Sequence, residues 1–449
     1  MSKLSAYSIS ALCFFAGCGW MNALPQAAHP IIIIDIDTLR ADHLGCYGYH
    51  RDTSPNIDLF ADQSVLFEWC FSQAPNTPPS QTSILTGVYP GTHGMVEDED
   101  KVPDELVTLA EALRGCGFTT AGFHDGGYLS ASFNIGQGFS LYDDSKGKGL
   151  NAIGPKVFDW LKSHADQNFL LFVHTYDTHT PYAPEPPFDR LFVDEVAEPT
   201  PGFVPNPEQM EAVRLSKYTD NPRKLPANDL AYAMALYDAE IRFVDSWFGE
   251  FMEQVRQLGL DRRATIVVIS DHGEEFQEHG SVLHEKLYAP VTRVPLIIRF
   301  PGGETVSRLD GVVQAMDLMP TLLEITGCSI PDEVQGHSLV PRILGTGIQH
   351  EPAAYGESPF FGERRFVAVD DLHLLVTLRD QSVELFRFRE DPLEMRDLSA
   401  DEAEKAQELL DMVIRWDTEV RLPIVSQPPA DGQLDPETRE QLKQLGYVQ

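Results

Sequence analysis

The sequence predicts an α/β fold: a central, mostly parallel sheet flanked by helices. Three observations predict it. First, Ile31–Ile34, Phe169–His174 and Thr265–Ser270 are short apolar runs without the alternation of a half-exposed strand, so they read as strands buried on both faces. Second, helical patterns at Leu106–Leu113, Val157–His164 and Ala231–Gln257 fall between or beside them, as crossover helices do. Third, each apolar run ends in side chains that carry chemistry: Asp35 and Asp37, His174 and Asp177, Asp271 and His272. Ligands of open α/β sheets bind beyond the carboxyl ends of the strands, so three such ends point to one shared site.

The opening stretch IIIIDIDTLRAD organises the rest. Ending a buried strand in Asp35 and Asp37 is costly unless the carboxylates find a partner, and a metal ion is a strong one. Helix capping is the alternative role for either residue.

Before that strand, the first 28 residues read as a targeting segment. Lys3 opens it, and Ile9–Ala16 is an apolar run too short to span a membrane. The run ends Phe15-Ala16-Gly17-Cys18. Small residues before a cysteine match a bacterial lipoprotein cleavage site, although Phe15 stands where Leu is usual. Ordinary signal-peptidase cleavage near Ala23 or Ala28 is the alternative, and an apolar N-terminus that packs is a third. The expectation is export, either to the periplasm or to the outer membrane of a bacterium through a lipidated Cys18. Four cysteines remain, Cys46, Cys70, Cys116 and Cys328, with no CxxC pair. That is not a zinc pattern, and it leaves room for one disulfide that spacing alone cannot pair.

With 68 acidic and 34 basic residues, the net charge is −34. No basic surface stands out to neutralise phosphates, so nucleic acid is excluded as a partner.

Along the chain, Ser54-Pro55 opens a helix over Ile57–Gln63, and Val65–Cys70 is a strand. The prolines of Ala74–Gly87 stiffen a loop that runs into a helix at Ser80–Leu85. A hydroxyl at such a helix start lies in a positive field that favours an anionic substrate. Thr77 and Ser80 are the candidates; an N-cap hydroxyl is the plain alternative. Gly117–Phe123 is a strand. Pro184–Pro226 is Pro-rich and reads as a surface excursion. After residue 340 the texture changes at Gly345-Thr346-Gly347. Phe366–Val369, Leu372–Leu378 and Glu384–Arg389 form a small antiparallel sheet covered by an amphipathic helix over Ala400–Val420. The predicted units are residues 1–28, 29–340, 341–425 and a polar tail, 426–449, with a short helix over Pro436–Leu445.

Five segments together resemble the sulfatase family of the alkaline phosphatase superfamily. They are Asp37–Tyr49 (DTLRADHLGCYGY), Thr77–Pro90 (TPPSQTSILTGVYP), Asp177–Tyr182 (DTHTPY), Ser270–Gly280 (SDHGEEFQEHG) and Arg293–Gly302 (RVPLIIRFPG). They stand in the family's order. DEVQGHSLVP and Glu384–Ser399 resemble its C-terminal subdomain. The resemblance implies an alkaline-phosphatase-like sheet with a smaller C-terminal α+β subdomain. It implies Asp37, Asp271 and His272 as metal ligands, with Thr38 where many members have a second acid. It implies Thr77 at the nucleophile's place, His179 near the leaving group and Lys286 near the anion. One divalent ion is implied; an Asp/Asp/His set suits Mn²⁺ or Zn²⁺ better than Ca²⁺. Asp35, Ser80, Gln81, His174, Asp177, His279 and His284 are left for a supporting shell or a second metal.

The departure lies at the nucleophile. Sulfatases of the usual kind carry Cys or Ser in C-x-P-S-R, which becomes formylglycine. Here the five residues are Thr77-Pro78-Pro79-Ser80-Gln81. Threonine would oxidise to a ketone, so formylglycine is not expected, and Gln81 replaces the motif's Arg. A plain Thr sulfate lacks the second hydroxyl that expels sulfate from the hydrated aldehyde. A phosphorylated Thr can be attacked by water at phosphorus. The expected substrate is therefore a small-molecule, glycan or lipid-headgroup anionic ester, with phosphodiester or phosphate ester ahead of sulfate. A phosphoethanolamine-type transferase and an inactive glycan-binding homologue are the alternatives.

Overall fold

The computed structural model describes residues 28–96, 100–219, 221–303, 305–347, 352–358, 363–420 and 436–445. The targeting segment up to residue 27, Cys18 included, lies outside the described residues, as do 421–435 and 446–449 of the C-terminal region.

Four isoleucines start β1 (Ile31–Ile36), and every residue of it is buried. It pairs in parallel with β5 (Phe169–Thr175) on one side and β6 (Thr265–Ile269) on the other. The sheet extends through β3 (Thr119–His124) and β4 (Leu141–Asp144) past β5, and through β9 (Arg293–Arg299), β2 (Val65–Phe71) and β10 (Ser307–Gln314) past β6. Only β9 runs antiparallel to its neighbours. Between β6 and β9, the short strands β7 (Glu275–Phe276) and β8 (Val282–Leu283) pair as a separate hairpin. The mostly parallel sheet read from the sequence is the one observed.

Strand parity sets the site. Successive side chains of β1 point to opposite faces. Ile32, Ile34 and Ile36 enter a core with Val157, Leu161, Phe248 and Phe251 of two long helices, Gly149–His164 and Ala227–Gln257. Ile31 and Ile33 enter the other core, with Ile84 and Leu85 of the helix Thr77–Thr86 and Leu318 and Leu322 of the helix Leu318–Thr326. Each such fully buried side chain contributes about 1.5–3 kcal/mol. Asp35 and Asp37 share the parity of Ile31 and Ile33, so they meet the helix that begins at Thr77.

Beyond the sheet, β11 (Ala353–Ser358), β12 (Arg364–Val369), β13 (Leu372–Thr377) and β14 (Ser382–Arg387) form an antiparallel sheet covered by the helix Ala403–Arg415. Three of its strands were expected; β11 was not, because Ala353–Ser358 has little apolar signal. The Pro-rich excursion contains a helix, Pro207–Ser216, capped by Asn206. Cys116 and Cys328 form a disulfide between the ends of the helices Leu109–Gly115 and Leu318–Thr326.

Within the polar tail, the helix Pro436–Gln444 packs on the main unit. Leu442 is fully buried against Tyr128 and Phe133. A single apolar residue anchors it, which is too weak a pattern to read as amphipathic.

Candidate active site

Thr77 is the first residue of its helix, and Pro78 and Pro79 follow where backbone N–H groups are not needed. This stiff start fixes the hydroxyl. Thr77 Oγ1 donates to Asp37 Oδ2 at 3.1 Å and lies 3.3 Å from His272 Nε2. His272 Nδ1 donates to the Gly273 carbonyl at 3.0 Å, which leaves Nε2 with the lone pair. Asp271 Oδ1 accepts the His272 backbone N–H at 2.9 Å.

The ligating atoms of Asp37, Asp271 and His272 all lie within 4.8 Å of one another, the one such group of three among the described residues. All three residues are buried. Asp37 Oδ1 and Asp271 Oδ2 have no hydrogen-bond partner. Burial, then the neighbouring Asp271, raises the Asp37 carboxyl well above its ordinary range. Orphaned carboxylate oxygens beside an imidazole lone pair are what a divalent cation satisfies, so the donor set fits one.

Behind this trio lies a second buried set. Gln81 donates its amide to Asp35 Oδ2. Asp35 sits beside His174 in register across β1 and β5, and His174 Nε2 is 3.5 Å from Asp37 Oδ2. Asp35 Oδ1, Gln81 Oε1 and both His174 nitrogens make no hydrogen bond.

The remaining predicted residues lie around this centre. Thr38 adopts a left-handed conformation (φ 53°) and donates to the Thr178 carbonyl at 3.0 Å, so it ties β1 to the loop after β5. His179 donates from Nδ1 to the Thr180 carbonyl at 2.7 Å; its ring is 5.1 Å from that of His284, which is 4.5 Å from that of His272. Burial, then His284, pushes His179 down to about 3. Ser80 donates to the carbonyl of Asn76, the residue that caps its helix, at 2.7 Å. Asp177 accepts Leu150 N–H at 2.8 Å and caps the helix from Gly149. Lys286 donates to the His279 carbonyl at 2.5 Å and lies 3.7 Å from Glu275, while His279 stacks on Tyr288 and bonds Leu393. The structure therefore does not gather His174, Asp177, His279 and His284 as a second metal set.

Two buried acids beside the predicted residues carry no prediction from the sequence. Glu274 is fully buried, lies 3.4 Å from His284 Nδ1, and is pushed up to about 7 by burial. Its signal was its place inside SDHGEEF. Glu240 comes from the long helix Ala227–Gln257 and had no local signal. It borders a cavity of about 360 Å³ that begins at His179.

The sulfatase family model matches residues 30–328, and the C-terminal model of N-sulphoglucosamine sulphohydrolase matches 277–416. An arylsulfatase of Clostridium perfringens is 26% identical over 442 residues, 82% of this chain and 89% of that protein. An N-acetylglucosamine-6-O-sulfatase of Bacteroides thetaiotaomicron is 23% identical over 456 residues, 83% of this chain and 81% of that protein. The phosphonate monoester hydrolase of Agrobacterium radiobacter superposes with a TM-score of 0.73 at 19% identity, over 88% of this chain and 96% of that one. The family match and the fold together define an ester hydrolase of the alkaline-phosphatase-like class. Within it, the chain belongs to the sulfatase family.

Proposed function

We propose that the protein hydrolyses an anionic ester, a phosphodiester or phosphate ester ahead of a sulfate, through a covalent intermediate on Thr77. The observation that carries this is the place of the Thr77 hydroxyl, within hydrogen-bond reach of both Asp37 and His272. Asp37, Asp271 and His272 would hold a divalent ion, which when bound would neutralise charge on the ester oxygens and lower the pKa of a nearby hydroxyl. Thr77 Oγ forms the bond to phosphorus as the bond to the departing alcohol breaks; the Thr77 proton leaves toward Asp37 Oδ2, its hydrogen-bond partner, and the departing alkoxide takes up a proton from water. Water then attacks phosphorus and restores Thr77. His179, with its proton fixed on Nδ1, presents Nε2 as an acceptor for the hydroxyl of the alcohol or the water.

Sulfuric ester hydrolysis is the second reading. The names of the relatives favour it, an arylsulfatase and an N-acetylglucosamine-6-O-sulfatase among them. The test compares turnover of an aryl sulfate, an aryl phosphate and a bis-aryl phosphate, with Thr77→Ala beside the parent chain. Phosphodiester turnover that collapses in the variant supports the proposal. Preference for the sulfate, or full turnover by Thr77→Ala, overturns it. Product analysis with an added alcohol acceptor separates hydrolysis from transfer. Export is part of the proposal, since a disulfide closing residues 116–328 persists in an oxidising compartment. The lipid tether at Cys18 is tested by metabolic labelling with a fatty acid.

A further inference from the structure

The cavity beside His179 has a wall that the family domain does not supply. Gln441, Gln444 and Leu445 line it together with His179, Asp177 and Glu240. These first three residues lie beyond both matched family segments, which end at 328 and 416. They arrive on the helix Pro436–Gln444, which is held firmly. Gln441 Oε1 accepts the Gly127 N–H at 3.0 Å, Thr438 and Ser130 share a hydrogen bond of 2.9 Å, and Lys146 pairs with Glu437 at 2.6 Å. With Leu442 buried beneath, the helix is a fixed part of the cavity.

We infer that this cavity receives the alcohol part of the ester, and that Gln441 and Gln444 are specificity-determining residues there. The inference rests on the placement of His179 at the reacting centre in the function proposed above. A volume of about 360 Å³ lies within the range of small-molecule sites, roughly 300–1,000 Å³. The walls offer more acceptors than cations: the carboxyls of Asp125, Asp177 and Glu185 stand against Lys148, and the rings of Tyr176 and Phe243 add apolar faces. Such a lining selects an alcohol rich in hydrogen-bond donors and of about the size of one sugar ring. Hydroxyls or a protonated amine can supply those donors.

The test measures binding of three free alcohols to the full chain by calorimetry: D-glucosamine, D-glucose and ethanolamine. None is an ester, so the readout is independent of whether Thr77 is the nucleophile. The expected result is saturable binding of D-glucosamine, weakened at least tenfold in Gln441→Ala/Gln444→Ala. Gln444→Trp, at an exposed position, should weaken it as much by filling the cavity while leaving the Gly127 contact in place. Binding shared with ethanolamine but not D-glucose assigns the recognition to the ammonium group; binding shared with D-glucose assigns it to the ring hydroxyls. No saturable binding of any of the three, or unchanged affinity in Gln444→Trp, overturns the inference.

Discussion

Gln81 donates its side-chain amide to the Asp35 carboxylate, and this contact ties the helix that presents Thr77 to the strand that presents Asp37. Both residues are fully buried. Gln81→Ala removes a donor from a buried carboxyl that has no other hydrogen bond at Oδ1. The expected loss of stability is about 1–3 kcal/mol, read from denaturant unfolding. Turnover should fall with it, because the helix start is no longer pinned to β1. A variant as stable as the parent would show that Asp35 is satisfied by another group.

The trio Asp37, Asp271 and His272 predicts an opposite effect of Asp37→Asn on the free and metal-bound forms. In the free protein, the substitution relieves a buried carboxylate that lies close to Asp271. The metal-free variant is therefore expected to unfold no more easily than the metal-free parent. Addition of Mn²⁺ or Zn²⁺ at about 100 times its dissociation constant should stabilise the parent by about 2.7 kcal/mol and the variant far less. Thermal melts with and without a chelator measure both. An equal gain in the two proteins would place the ion elsewhere.

Glu240 predicts a slope of stability with pH. Burial, then Asp177, pushes its carboxyl up to about 9. The folded state therefore keeps a proton that the unfolded chain releases above about 4.3. The native form binds more protons between those two values, so this group makes stability fall as pH rises through the window and level off near 9. Glu240→Gln preserves an acceptor for the Ala183 N–H, bonded at 3.0 Å, and cannot ionise. Melting temperatures at pH 5 and pH 8.5 should drop less in the variant than in the parent. Parallel drops in both would refute the assignment.

The disulfide predicts a redox-dependent melt. Cys116 and Cys328 are 212 residues apart, and a cross-link of that span removes much conformational freedom from the unfolded chain. Reduction, or Cys116→Ser with Cys328→Ser, is expected to cost about 2–4 kcal/mol. Cys46 and Cys70 are not part of it, so Cys70→Ala should leave the effect of reductant unchanged.

Much of the fold was legible because β1, β5 and β6 are buried on both faces and their composition says so directly. Asp37, Thr77, Asp271 and His272 were legible for a related reason: each follows a strong apolar run or a proline-stiffened helix start, and motif order placed them together. β10, with Arg308 and Asp310 exposed at alternate positions, carries too little apolar signal to declare itself a sheet strand. The cavity was not legible at all. Its lining comes from residues near 125, 180, 240 and 441, and nothing local marks side chains that only the folded chain brings together. The Gln81–Asp35 contact was hidden in the same way. Each residue was visible as an oddity, but their pairing depends on the parity of β1.

That parity has a consequence for biosynthesis. β1 is made early, yet both of its partners arrive late: β5 begins at Phe169 and β6 at Thr265. Until then the nascent chain carries an unpaired run of four isoleucines, the kind of segment that recruits other strands into aggregates. Charges flanking such a run act as gatekeepers against intermolecular pairing. Asp35 and Asp37 stand at that flank. Before the site exists, the same two carboxylates are the charges that flank this run.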